Sequence, residues 1–237
     1  ILSLPVNQSI WGLLIVLFIA MVVVSQFMLT FGSDPNAKVT KKSKSPLSFH
    51  PIALIFGLLS FVSYLVEGAV GDWSALYLFE DKGIVIEEAV MGVMLFNGTM
   101  CIGRLLGNRL GKHLTSKQVV VGGYLLGSIA MGLIVFLPGH ASMYTYLLLG
   151  ISLAMIVPNL FSAMGEQNVI PMTQAVATST MLGYMGILMG PALIGFIAHG
   201  TSLTVAFIVL TILLVVSAGI GKYAYHLMSK DCGLSEE

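Results

Sequence analysis

Seven apolar stretches, each long enough to cross a bilayer, constrain this 237-residue chain more than any other feature. A transmembrane helix needs ~20 predominantly apolar residues to cross the hydrocarbon core. The stretches cover residues 10–30, 51–78, 89–107, 119–137, 143–164, 174–198 and 203–225. A composition of 57% hydrophobic and only 9% charged residues excludes a soluble domain. We therefore predict an all-α membrane protein with seven transmembrane helices in contact with membrane lipid.

The basic residues predict how these spans are oriented. Lys and Arg resist translocation and collect on the cytoplasmic side of a membrane. Of the eleven Lys and Arg residues, four lie in the polar segment 31–50, four in segment 103–117 and two near the carboxyl terminus. If the spans alternate in direction, only Lys82 lies outside. We therefore expect a multi-pass membrane protein with the amino terminus of this chain outside and the carboxyl terminus in the cytoplasm.

Segment 103–117 joins the third and fourth spans and combines basic residues with regularly spaced glycines. Its basic residues are Arg104, Arg109, Lys112 and Lys117. Gly103, Gly107 and Gly111 recur every four residues, a spacing that gives a helix a smooth face for a close neighbour. Two interpretations remain open. The segment is either an ordinary cytoplasmic loop with a packing face or a loop that gates the inner side of a transporter.

Glu67 is the only acidic residue deep within a predicted span, since Asp72 lies nearer the outer surface. An ionisable group in hydrocarbon costs at least ~2.5 kcal/mol, so it should face a cavity or a partner. At 100° per residue, a sector of about 80° contains Ser60, Ser63, Glu67, Gly71 and Ser74. This polar stripe predicts a cavity-lining face, with Ser63 beside Glu67. The alternative is a structural hydrogen bond from Glu67 to a neighbouring helix.

Three further polar residues are candidates for contact with a solute. Asn97 lies in the third span, Asn159 in the fifth and Tyr184 in the sixth. Each could equally form a hydrogen bond between helices. Pro158 precedes Asn159, and a proline within a helix frees a backbone carbonyl that the Asn side chain or a ligand could bind.

The order and spacing of three motifs resemble a known family. They are Glu67-Gly68-x-x-x-Asp72-Trp73, Gly103-Arg104-x-x-Gly107 and Gly183-Tyr184-x5-Gly190-Pro191-x3-Gly195. Together they resemble the carboxyl-terminal half of a major facilitator superfamily transporter, in the bacterial YbjJ-like and fucose-permease-like branch. The chain departs from the family at two places. Asn108 stands where an acid commonly precedes the loop arginine, and Ala192 stands where the family commonly has a second proline.

The resemblance implies a twelve-helix fold in two bundles, of which this chain resembles helices six to twelve. Residues 1–30 resemble the sixth helix, 31–50 a cytoplasmic linker between the bundles, 51–225 the carboxyl-terminal six-helix bundle and 226–237 a cytoplasmic tail. The partner bundle that the family implies is absent from the sequence given. The chain begins with Ile1, so we expect it to be part of a longer protein.

Secondary active transport is the function expected from this resemblance. A small polar, sugar-like solute would cross by alternating access, coupled to protons. Glu67 would be the coupling group, and Ser63, Asn97, Asn159 and Tyr184 would line the solute or coupling site. The gate would comprise Gly103, Arg104, Gly107, Asn108, Arg109, Gly111 and Lys112. Pro158, Gly190 and Pro191 would be helix breaks that allow bending.

Two other classes remain open on the sequence alone. A half or fragment that only folds against a partner bundle would also have these spans. A heptahelical sensory receptor would share the span number and orientation, although the last span lacks the mid-span Lys of a retinal protein. An enzyme is not expected, because the sequence contains neither HExxH, Gly-x-Ser-x-Gly nor a histidine cluster. No metal, other cofactor or nucleic-acid partner is expected.

Overall fold

The computed structural model describes residues 50–110, 114–167 and 169–232, together with positions 12, 14, 15, 18–23 and 25. At residues 108–110, 231 and 232 it describes the backbone alone. The chain forms two compact units, Ile1–Lys44 and Ser45–Glu237. The described positions of the first unit are helical. The remainder of the predicted first span, and the predicted linker up to residue 49, lie outside the described residues.

Within the described residues the second unit is formed by eight helices. They are α1 (Pro51–Glu80), α2 (Ile86–Leu110), α3 (Ser116–Phe136), α4 (Gly139–Tyr144), α5 (Tyr146–Ala154), α6 (Ile156–Glu166), α7 (Met172–Gly200) and α8 (Leu203–Cys232). The helices α4, α5 and α6 follow one another as one 28-residue span. Six segments of this unit are therefore long and apolar enough to cross a membrane. The prediction of an all-α membrane fold is confirmed.

The starts of α1 and α3 have local causes that can be read from the sequence. Pro51 occupies the first turn of α1, where its missing N–H would have had no helical partner. His50 Nδ1 accepts a hydrogen bond from the Ile52 amide at 3.3 Å. At the start of α3, Thr115 Oγ1 accepts from the Gln118 amide at 3.3 Å while Gln118 Oε1 accepts from the Thr115 amide at 3.0 Å. This reciprocal capping box satisfies two amides that the helix leaves unpaired.

The helix α1 is the centre of the bundle and shares its most extensive interface with α7. Glycines on α7 make this approach possible, because a methyl group at Gly190 would lie only 2.5 Å from the carbonyl oxygen of Leu65. Close contact between small residues is a common way for helices to associate in membranes. At the same interface Trp73 Nε1 donates a hydrogen bond to the carbonyl oxygen of Pro191 at 2.9 Å. The Trp73 ring lies against Gly195.

The predicted gating loop is largely helical, which corrects the sequence-based boundary at residue 107. The helix α2 continues to Leu110, because its glycines pack against the α5 side of the bundle instead of ending the helix. A methyl group at Gly103 would lie 2.6 Å from Ala154 Cβ, and Gly107 faces the Met155 side chain. Asn108 and Arg109 belong to the last turn by their backbone. Gly111 and Lys112 lie outside the described residues.

The predicted helix breaks differ from one another. Pro158 has no N–H to bond the Ala154 carbonyl, and the span is interrupted one turn earlier, at Met155 (φ −102°, ψ −4°). Pro191, in contrast, lies inside α7, which runs without interruption from Met172 to Gly200. At the carboxyl end, α8 continues to Cys232, so part of the predicted tail 226–237 is helical.

Candidate functional site

An ion pair between Glu67 and Arg104 is the main polar feature on the accessible surface of the spans. Glu67 lies near the middle of α1, and Arg104 lies on α2. Arg104 Nη2 is 3.2 Å from Glu67 Oε2 and 3.5 Å from Oε1. The Glu67 side chain is 23% exposed and that of Arg104 is 44% exposed. Two opposite charges therefore face an open side of the bundle.

Two stacked tyrosines lie beside this ion pair. The rings of Tyr64 and Tyr184 are stacked, with centroids 6.1 Å apart and an interplanar angle of 11°. Tyr184 is 58% exposed, and Tyr64 lies within electrostatic range of both Glu67 and Arg104. We call the surface formed by Tyr64, Glu67, Arg104 and Tyr184 the polar face.

The polar stripe predicted on α1 divides between the interior and this polar face. Ser60, Ser63 and Ser74 are buried. Ser63 Oγ is 2.8 Å from the hydroxyl of Tyr124 on α3, and that hydroxyl donates to the Leu59 carbonyl at 2.7 Å. Ser63 therefore bonds within the bundle, although Glu67 follows it by one turn.

Asn97 and Asn159 lie in different surroundings. Asn97 is exposed on α2 and donates to the carbonyl of Val93 at 3.0 Å. Because seven residues of helix bring a side chain back to within about 20°, Asn97 lies on the same side of α2 as Arg104. Asn159 donates to the Met155 carbonyl at 2.8 Å and lines a groove of about 350 Å³ between α3 and the α5–α6 segment. The structure therefore does not bring Asn159 to the polar face.

Glu67 and Tyr184, which the sequence indicates as candidates, both lie on the polar face, whereas the sequence does not indicate the contacts of Arg104 and Tyr64. Arg104 ends an apolar run, which predicts a loop residue, and its partner is 37 residues away in the chain. Tyr64 precedes Glu67 by three residues, about 60° around the helix, and this spacing indicates that the two side chains share one face of α1. Among the described residues no group of three or more His, Cys, Asp or Glu side chains could hold a metal ion.

The chain is similar to transporters in both sequence and structure. No protein-family model matches it. It is 41% identical over 168 residues to an uncharacterised MFS-type transporter of Yersinia pestis, covering 70% of this chain and 43% of that protein. It is 31% identical over 151 residues to the membrane protein MosC of Rhizobium meliloti, covering 63% of this chain and 37% of MosC. The chain thus spans less than half the length of these curated relatives.

A solved structure shows the same fold. The crystal structure of the E. coli fucose:proton symporter matches with a TM-score of 0.64 at 16% identity, over 73% of this chain and 42% of the symporter. The sequence similarity to an MFS-type transporter and the shared helical fold agree with each other. This chain therefore resembles part of a major facilitator superfamily transporter in both sequence and fold.

Proposed function

We propose that this chain supplies the carboxyl-terminal bundle of a secondary active transporter. The complete protein moves a small polar, sugar-like solute across the bacterial inner membrane by alternating access, coupled to protons. The observation that carries the proposal is the accessible Glu67–Arg104 pair, which joins the middle of α1 to the last two turns of α2. Placing charged groups in lipid is energetically unfavourable, so a face that carries two of them should border water or a partner bundle.

The proposed site lies at an interface between two helix bundles. In many transporters built from repeated halves the solute binds near the bilayer midplane, between the halves. The partner of the polar face is an amino-terminal bundle, which the chain lengths of the relatives support. Glu67 takes up and releases the coupled proton, while Tyr184 and Asn97 contact the solute. The segment from Gly103 to Lys112 acts as the inner gate, and Asn159 with Pro158 belongs to a segment that bends.

The fucose:proton symporter supports proton coupling by analogy of fold. That protein, as its name states, transports a sugar together with a proton, and an exposed carboxylate is a group that can exchange a proton during a cycle. In the proposed orientation, the amino terminus of this chain lies outside and the carboxyl terminus lies in the cytoplasm. The charge bias of the loops supports that orientation.

Glu67→Gln tests the coupling role in the complete gene product reconstituted in liposomes. Fucose, galactose and galacturonate are offered to vesicles with an imposed pH gradient, and solute uptake and proton movement are both measured. Glu67→Gln keeps size and hydrogen bonding but cannot titrate, so accumulation should fall at least ~10-fold. Exchange of labelled for unlabelled solute should survive, because it needs no net proton transfer.

Asp72→Asn is the matched control. Asp72 is an exposed carboxylate on the same helix, five residues from Glu67 and about 140° around the helix axis, so its loss should leave accumulation unchanged. Normal accumulation by Glu67→Gln would remove Glu67 from the coupling role. Absence of proton movement with every solute offered would count against proton-coupled transport itself.

A further inference from the structure

We propose that the polar face binds the carboxylate of an organic anion through Arg104, and that this anion replaces Glu67 as the partner of Arg104 when Glu67 is protonated. The solute is then a small carboxylate with a ring or another flat C–H face, such as a sugar acid. This inference rests on the proposed transport function and names its substrate class.

The ion pair leaves most of the Arg104 guanidinium available. Both hydrogen bonds that Arg104 makes to described residues come from Nη2, which spans the two oxygens of Glu67. A guanidinium has five N–H donors, so the three on Nε and Nη1 remain for a ligand. The side chain is 44% exposed, which leaves these donors accessible. A planar fork of this kind is suited to bidentate binding of a carboxylate.

The charge of Arg104 requires a partner in every state of the cycle. Arginine stays protonated at all physiological pH values, and an unpaired charge within the membrane is strongly unfavourable. Protonation of Glu67 removes the one carboxylate that pairs with Arg104 among the described residues. Another anion must then compensate the guanidinium, and a solute carboxylate can do so.

Other groups on the surrounding helices do not supply that anion. On the polar face itself the other titratable groups are Tyr64 and Tyr184. Glu88 pairs with His140 at 2.7 Å, and Glu166 lies at the end of α6, where it interacts with Tyr225. Among the residues of α1, α2, α7 and α8 whose side chains are described, the remaining titratable ones with acidic or basic groups are Asp72, Glu80, Glu87, His199, Lys222, His226 and Lys230. The acids in that list lie in the outward-predicted part of α1 or the first turn of α2.

The stacked tyrosines give the proposed ligand a second point of contact. The two rings are stacked on each other, and Tyr184, which is 58% exposed, leaves an apolar ring surface accessible on the polar face. Aromatic rings bury large apolar areas and leave a polar tip, which suits a ligand with one C–H face and one charged end. A neutral solute could use the tyrosines, but it would leave the charge of Arg104 uncompensated.

The exchange keeps the site electrically neutral. Before binding, ionised Glu67 and Arg104 sum to zero charge. After binding, protonated Glu67 is neutral and the solute carboxylate balances Arg104, so the site again sums to zero. One proton therefore enters with one monovalent carboxylate, and the membrane pH gradient rather than the voltage drives accumulation.

Calorimetric titration of the purified complete gene product tests this inference without requiring transport. The probes are galacturonate and glucuronate, each matched with its neutral hexose, at about pH 5.5 and about pH 8, where both acids stay ionised. The hexuronates should bind at least ~10-fold more tightly than the hexoses at the lower pH, and lose that advantage at the higher pH. Glu67→Gln mimics the protonated state and should bind the hexuronates equally tightly at both pH values.

Arg104→Gln should weaken hexuronate binding at least ~10-fold at the lower pH. Lys222→Gln, which removes an exposed cation on α8, is the control and should bind as the unaltered protein does. Equal binding of hexoses and hexuronates by the unaltered protein would overturn the inference. A lack of hexuronate binding by Glu67→Gln would also overturn it, and this second test is independent of whether Arg104→Gln folds. Proton-driven uptake of neutral solutes alone would refute the substrate class and keep the transport function. Hexuronate binding without uptake would refute transport and keep the site.

Discussion

Ser63 and Glu67 show how one turn of α1 separates a structural residue from a candidate functional one. The two positions differ by about 40° around the helix. That rotation buries Ser63 against Tyr124 and leaves Glu67 partly exposed beside Arg104. Because the Tyr124 hydroxyl donates to the Leu59 carbonyl, Ser63 must be the donor in its own bond to Tyr124. Ser63 therefore stabilises the contact between α1 and α3, and Glu67 is the residue that presents a carboxylate on the polar face.

Tyr124→Phe should destabilise the protein by about 1–3 kcal/mol. The substitution keeps the ring but removes the partner of both Ser63 and the Leu59 carbonyl, and unsatisfied buried polar groups carry a penalty of that size. Thermal unfolding in detergent measures the effect. Tyr223→Phe, at a tyrosine that is 57% exposed, is the control and should unfold like the unaltered protein. Equal unfolding of Tyr124→Phe would mean that the buried hydrogen bonds contribute no net stability.

At the level of helices, the motif residues that resemble the family have packing roles in this structure. Trp73, Pro191 and Gly195 meet at the α1–α7 interface. Gly68 lies against the carbonyl of Ile187, where a methyl group would come within 2.9 Å of the oxygen. That carbonyl is the one left without a helical partner by Pro191. The motifs therefore identify the fold more directly than they identify a ligand.

Gly190→Ala should lower stability by about 1–3 kcal/mol by forcing α1 and α7 apart. The added methyl group would meet the rigid backbone of Leu65, not the flexible end of a side chain. Urea or thermal unfolding in detergent measures the change. A methyl group at Gly219 on α8 would meet no atom of the described chain within 4 Å, so Gly219→Ala should be neutral or slightly stabilising. Equal stability of the two variants would show that the helices can separate at little cost.

The sequence predicted the spans well and their ends less well, for physical reasons. Long apolar runs determine where a helix can cross a membrane, but α2 and α8 continue past their apolar runs to Leu110 and Cys232. Helical hydrogen bonds persist beyond the hydrocarbon core, and no proline stops them there. The pairing of Arg104 with Glu67 could not be predicted, because it depends on how two helices separated in sequence are placed side by side.

Across the whole molecule, Lys82 is the one basic residue that the orientation puts outside, and it has a local role. Lys82 Nζ donates to the carbonyls of Val135 and Leu137 at 2.6 and 2.9 Å. A cation at the carboxyl end of a helix is favourable because it meets the unpaired carbonyls of the last turn. Burial lowers the pKa of Lys82, and neighbouring Asp81 opposes that change. The exception to the charge bias is therefore a helix cap between α1 and α3.

Cysteine labelling tests the orientation of the complete gene product. After all native cysteines, Cys101 and Cys232 among them, are replaced by Ser, Leu114→Cys should react with an impermeant maleimide only from the cytoplasmic side, and Val85→Cys only from outside. The two positions are 46% and 56% exposed, so a difference in reactivity reports sidedness and not burial. Leu114 is preferred to Thr115, whose side chain caps α3. Right-side-out and inverted vesicles are compared, with total reactivity measured after detergent is added.

Labelling of Val85→Cys from the cytoplasmic side would reverse every loop of the bundle. The polar face would keep its geometry, since Glu67 and Arg104 contact each other within the bundle, but the predicted inner gate, residues 103–112, would then lie outside.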